Sequence, residues 1–169
     1  MASETVLGRI PHRPPFLFVD EIVAEDERGI TTRWTPPTDA DFFAGHYPGN
    51  PLLPGVLMLE MLFQSATVWF AGRAEADDED LAGTVPVLTR LGGGRFKRVV
   101  RPGETLTAEL ELTEALGPAR FMKARLRSAD GKLVVSCDFA VAAAPASSTT
   151  PASGAHTDGN PGQGTHEAP

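Results

Sequence analysis

The chain has 169 residues, a hydrophobic fraction of 41% and a formal net charge of −7. That length suits one domain with a real core, and the negative charge argues against general nucleic-acid binding through the phosphate backbone. The one cysteine, Cys137, excludes an intrachain disulfide and gives no sign of an oxidising compartment.

The opening MASETVLGRIPHRPP lacks a basic start followed by an apolar run, so no signal peptide is expected and the expected location is the cytoplasm. Residues 16–23 and 30–35 are short apolar or β-branched runs separated by a polar stretch, and they read as paired strands. From Gly55 to about Gly72 or Ala74 the pattern is helical and apolar on nearly every face, which is the signature of a buried helix. Its length approaches that of a membrane span, but Glu60, Gln64 and Ser65 at the centre would be penalised in hydrocarbon, so no membrane insertion is expected. The acidic run 75–80 reads as a solvated loop.

The rest of the domain is strand-like, over 84–91, 95–100, 105–113, 119–128 and 132–142. In the third of these Leu106, Ala108, Leu110 and Leu112 share one face. Asp130-Gly131 marks a hairpin turn, and Cys137 reads as a small buried hydrophobe. The order of elements predicts an α+β domain, one large antiparallel sheet wrapped round one apolar helix. Residues 145–169 contain no Val, Ile, Leu, Met, Phe, Tyr or Trp and cannot offset their ordering entropy by burial. They read as a disordered tail on a working domain of residues 1–144. His156 and His166 are too far apart on such a chain to hold a metal, and no metal is expected.

Residues 45–60, GHYPGNPLLPGVLMLE, set His46 and Glu60 on either side of a rigid segment. Pro48, Pro51 and Pro54 stiffen the approach to the helix. Gly55 leaves a backbone N–H at the helix start unobstructed by a side chain, and that end favours negative charge. A carbonyl oxygen gaining charge during a reaction is one ligand that fits; the structural alternative is a proline-rich loop capping a core helix, with His46 incidental. Glu60 lies among Val56, Leu57, Met58, Leu59, Met61 and Leu62. A carboxylate in apolar surroundings resists ionising, so its pKa is expected to rise, which suits general-acid work beside a histidine base. Gln64, one turn further on the same face, is placed to hydrogen-bond the acid. The alternative is a buried glutamate satisfied by a structural partner. An acid, a base and an oxyanion site together are what elimination of water next to a thioester requires.

The segments PHRPPFLFVDEI (11–22), GHYPGNPLLPGVLMLEMLFQSA (45–66) and RFKRVVRPGETL (95–106) resemble, in order, the FabZ family of (3R)-hydroxyacyl-(acyl-carrier-protein) dehydratases of type II fatty acid synthesis. The resemblance implies a hotdog fold, a homodimer with continuous sheet and two active sites, and in many members a trimer of dimers. It implies His46 as base, Glu60 as acid acting on substrate held by the other protomer, the Gly55 N–H on the thioester carbonyl, and Gln64 in support of Glu60. It implies no metal or organic cofactor. Glu60, where the related FabA type carries aspartate, favours the plain dehydratase. Pro14 in place of tyrosine, Tyr47 in place of phenylalanine and the run Gly92-Gly93-Gly94 depart from the family pattern near the expected acyl tunnel. Packing around Phe63, Trp69 and Phe70 is expected to set the length of that tunnel.

Arg95, Lys97, Arg98 and Arg101 concentrate positive charge in an otherwise acidic chain. They read either as a solvated strand face or, as the resemblance implies, as a docking surface for the acidic acyl carrier protein. Two other functions share the fold: a hotdog thioesterase in which Glu60 directs water to the carbonyl, and a non-catalytic subunit that binds acyl chains.

Overall fold

The computed structural model describes residues 2–75, 81 and 83–145. In chain order the elements are α1 (Glu4–Arg9), β1 (Glu21–Asp26), β2 (Gly29–Trp34), α2 (Asp41–Gly45), α3 (Gly55–Glu75), β3 (Thr84–Phe96), β4 (Leu106–Leu116), β5 (Ala119–Ser128) and β6 (Leu133–Pro145). The strands form one six-stranded sheet in the order β1-β2-β4-β5-β6-β3, with every pairing antiparallel. The α+β architecture expected from the sequence is therefore present.

Helix α3 lies against the inner face of the sheet because its apolar side chains have nowhere better to go. Met61, Leu62, Ala66 and Val68 are fully buried, and each large side chain so placed contributes about 1.5–3 kcal/mol relative to exposure. The polar residues at its centre are accommodated by the fold. The Ser65 hydroxyl lies 2.7 Å from that of Thr32, and Ser65 also donates to the Met61 carbonyl at 2.7 Å. The facing residues of β4 and β5 alternate as pleating requires, with Leu106, Ala108 and Leu110 buried on β4 and Met122, Ala124 and Leu126 on β5. Leu112, expected on the same face as the first three, is half-buried.

Two strands differ from expectation. Residues 16–20 precede β1 and, apart from the Asp20 N–H that donates to the Arg33 carbonyl at 2.8 Å, do not pair in the sheet, although Phe18 and Val19 are buried. The reason is a competing acceptor: the Phe18 N–H donates to the side-chain oxygen of Gln64 at 2.8 Å, so the backbone is spent on the helix. The segments expected as separate strands at 84–91 and 95–100 form the single β3 as far as Phe96, with the glycine run producing a register shift between Gly92 and Arg95. Gly93 has φ +61°, which an L residue adopts only with strain. Thus the glycines kink the strand without ending it.

Strand β3 is one edge of the sheet, and Val85, Val87, Leu88 and Leu91 on it are exposed. Strand β6 runs to Pro145, whose partner is Thr84. The rest of the segment read as a tail lies outside the described residues, as do residues 76–80 of the acidic run.

Candidate active site

Helix α3 begins at Gly55, and its first hydrogen bonds run from Leu57 and Met58 to the Pro54 carbonyl at 3.0 and 3.3 Å. Among the described residues the Gly55 and Val56 amides have no acceptor. They sit at the positive end of a 21-residue helix, where a developing negative charge is stabilised. A Cβ on Gly55 would lie 3.0 Å from Cε1 of Phe96, so the missing side chain also lets that ring close over the helix start.

His46 caps α2, its N–H donating to the Phe42 carbonyl at 3.1 Å. Its Nδ1 lies 2.9 Å from the Leu52 carbonyl oxygen. A carbonyl only accepts, so Nδ1 carries the hydrogen and the lone pair remains on Nε2. The loop holding that carbonyl is anchored twice. The Leu53 N–H donates to the Val100 carbonyl at 2.8 Å, and the Arg101 guanidinium donates to the Asn50 side chain at 2.8 Å. Tyr47 has φ +59° and its ring stands edge-on to the His46 ring at 4.8 Å. A left-handed backbone at a bulky residue costs on the order of 1–2 kcal/mol.

Glu60 lies about one and a half turns into the helix, with a quarter of its side-chain surface exposed. Among the apolar residues of the helix run it has two polar neighbours, Gln64, as expected, and His12. Gln64 Nε2 donates to Glu60 Oε1 at 3.0 Å, and His12 Nε2 lies 3.8 Å from the same oxygen. Gln64 is 1% exposed. Its amide is oriented from behind, since its oxygen accepts the Phe18 N–H and its nitrogen also reaches the Phe16 carbonyl at 3.3 Å. The amide NH₂ must therefore face the carboxylate. Sequence reasoning placed Gln64 beside Glu60 and missed His12. A histidine beside prolines gives no sign by itself of the carboxylate that the fold brings near it.

The four cations do not form one free patch. Arg98 is paired with Glu104 at 2.8 Å and with Asp130 at 3.6 Å. Glu104 also accepts the Arg101 N–H at 2.8 Å, and the Arg101 side chain holds Asn50. Arg95 and Lys97 are exposed with no partner among the described residues. A cavity of about 880 Å³ opens between Phe16, Phe18, Trp34, Phe42 and Leu57. Leu57 is three residues before Glu60 on the same helix, so the cavity lies on the side of the acid. Trp69 and Phe70, expected to shape an acyl tunnel, are buried core residues, and Trp69 donates to the Asp26 carbonyl at 2.8 Å.

Residues 10–138 match the model of the FabA-like domain. A 3-hydroxyacyl-(acyl-carrier-protein) dehydratase FabZ of Anaeromyxobacter is 36% identical over 140 residues, covering 82% of this chain and 87% of that protein. A FabZ of Chloroflexus aggregans is 42% identical over 114 residues, covering 66% of this chain and 75% of its own. Among solved structures, the dehydratase heterocomplex ApeI:P of Xenorhabdus doucetiae superposes with a TM-score of 0.69 at 16% identity, covering 82% of this chain and 90% of that one. A hypothetical thioesterase of Streptococcus pneumoniae with coenzyme A superposes with a TM-score of 0.55 at 14% identity, covering 74% and 85%. The two structural likenesses show the hotdog fold alone. With the family model and these relatives taken together, the chain belongs to the FabZ-type dehydratase family of FabA-like hotdog proteins.

Proposed function

We propose that this protein catalyses the reversible dehydration of a (3R)-hydroxyacyl thioester of acyl carrier protein to the trans-2-enoyl thioester. The observation that carries the reading is the His46 hydrogen bond to the Leu52 carbonyl, which leaves the Nε2 lone pair free to take a proton, in a loop that leads into a helix start with two unpaired amides. Nε2 takes the proton from C2. The thioester oxygen gains charge and is held by the Gly55 and Val56 amides, in the manner of an oxyanion hole. Glu60 gives its proton to the C3 hydroxyl, the C3–O bond breaks, the C2=C3 bond forms and water leaves. Proton exchange then resets both groups, and no step needs an organic cofactor.

The site is completed by a second copy of the chain, with the exposed β3 edges of two protomers pairing so that His46 of one faces Glu60 of the other. An unpaired edge carrying Val85, Val87, Leu88 and Leu91 supports that pairing. One such interface supplies both sites, so activity does not depend on a trimer of dimers. Arg95 and Lys97 are the cations left to meet the acidic carrier protein, Arg98 and Arg101 being engaged within the chain. The reaction belongs to the cytoplasm, with its carrier. Absorbance of the conjugated enoyl product, followed on 3-hydroxyacyl carrier proteins of several chain lengths, tests the function. Release of free thiol without that absorbance would assign the chain to thioester hydrolysis instead.

A further inference from the structure

We propose that His12 is a positioning residue for Glu60, fixing which carboxyl oxygen carries the transferable proton. The inference rests on the dehydratase reading above. His12 Nε2 stands 3.8 Å from Glu60 Oε1, beyond a direct hydrogen bond and within reach of its field. The other ring nitrogen, Nδ1, is buried with no hydrogen-bond partner. A hydrogen on Nδ1 would be an orphaned donor, so the ring keeps its single hydrogen on Nε2, the nitrogen that stands near the carboxyl group.

The ring is held there by its own segment. The Arg13 guanidinium donates to the carbonyls of Leu7, Ile10 and His12 at 3.1, 2.8 and 2.7 Å, gathering the turn before the prolines. Phe16 stacks on the His12 ring with centroids 6.2 Å apart, and the Phe16 carbonyl accepts from Gln64. One stretch of chain therefore sets both neighbours of Glu60. Gln64 donates to Oε1, and the nearest ring nitrogen of His12 stands 3.8 Å from the same oxygen, so both place positive potential on Oε1 and not on Oε2. That oxygen is occupied as an acceptor whether the group is ionised or not, so the proton that moves in the reaction sits on Oε2. Rotating the carboxyl group would forfeit both contacts.

The test compares His12→Phe, which keeps a ring to stack on Phe16 and loses the N–H, with His12→Gln, which can return an N–H to the Nε2 position. His12→Phe is expected to lower kcat by about tenfold, with KM and melting temperature held, and His12→Gln to recover most of it. Wild-type kcat in His12→Phe overturns the proposal, as does a joint loss of turnover and thermal stability in both variants. In protein carrying ¹³C-labelled glutamate, the Glu60 carboxyl resonance should move in His12→Phe and return in His12→Gln. An unmoved resonance overturns the proposal even if the wild type dehydrates nothing, whereas inactivity of the wild type on every carrier substrate tells only against the dehydratase reading.

Discussion

Gln64 holds Glu60 by one end of its amide and the backbone of Phe18 by the other, with contacts of 3.0 and 2.8 Å. A buried side chain thus joins the acid on the helix to the segment that leads into the first strand. Replacing Gln64 by Leu removes both contacts and strands the buried Phe18 N–H. The expected cost is about 2 kcal/mol of stability, read by urea denaturation, together with a lower kcat. Gln64→Glu keeps an acceptor for Phe18 but sets one carboxyl group against another, so its kcat should fall further than its stability does.

His46→Ala and Glu60→Gln should each lower kcat by about 10²-fold or more without changing the oligomer seen in light scattering. Mixed after reversible dissociation, the two inactive variants should recover about a quarter of wild-type turnover, because half of the dimers then carry one intact site of two. Recovery would be absent if each site were built within one chain. Val87→Asp with Leu91→Asp, which places charge on the β3 edge, should give an inactive monomer in size-exclusion chromatography.

Gly29→Ala tests the sheet apart from the site. A Cβ there would meet the Leu110 carbonyl oxygen at 2.0 Å, and that oxygen belongs to the paired neighbouring strand, where Ile30 opposes Leu110. The backbone has no room to yield, so the variant should lose about 3 kcal/mol and show a lower melting temperature.

Cys137 is buried on β6, and burial, with a smaller contribution from neighbouring Asp138, pushes its thiol up to about 11. At pH 8 about one such thiol in a thousand is ionised, so a thiol reagent should react with the folded protein far more slowly than with the urea-unfolded chain. The raised folded value also fixes the sign of its effect on stability. Its contribution is complete below the ordinary thiol value of 9.0 and is lost as the pH rises toward 11.

The long helix, the three C-terminal strands and their hairpin were legible because each is set by local periodicity. The start of β1 was not, since residues 16–20 look like a strand while the distant Gln64 takes the Phe18 N–H and the Ser3 N–H takes the Asp20 carbonyl. The glycine run before Arg95 read as a break because composition cannot distinguish a bulge from an end once the neighbouring β6 holds both sides. The two short helices were missed, although Ser3 caps α1 with its hydroxyl and Glu4 and Arg9 suit its two ends. In the site, His46, Gly55, Glu60 and Gln64 stood out because their residue types conflict with a rigid, apolar stretch. His12 did not, because its meaning depends on a carboxylate that only the fold brings near. Arg98 looked free because charge counting along the segment does not show that the turn brings Glu104, six residues on, back to its guanidinium, or that the hairpin brings Asp130 near.

The hydrogen bond from His46 to Leu52 uses a main-chain carbonyl. Every amino acid at position 52 supplies that same oxygen, so the base keeps its tautomer through any substitution that leaves the loop's path intact. The heritable information for proton abstraction is therefore spread over the residues that shape the path, Pro48, Pro51 and Pro54 with Asn50 and Arg101, and the side chain of Leu52 is left open to evolutionary drift.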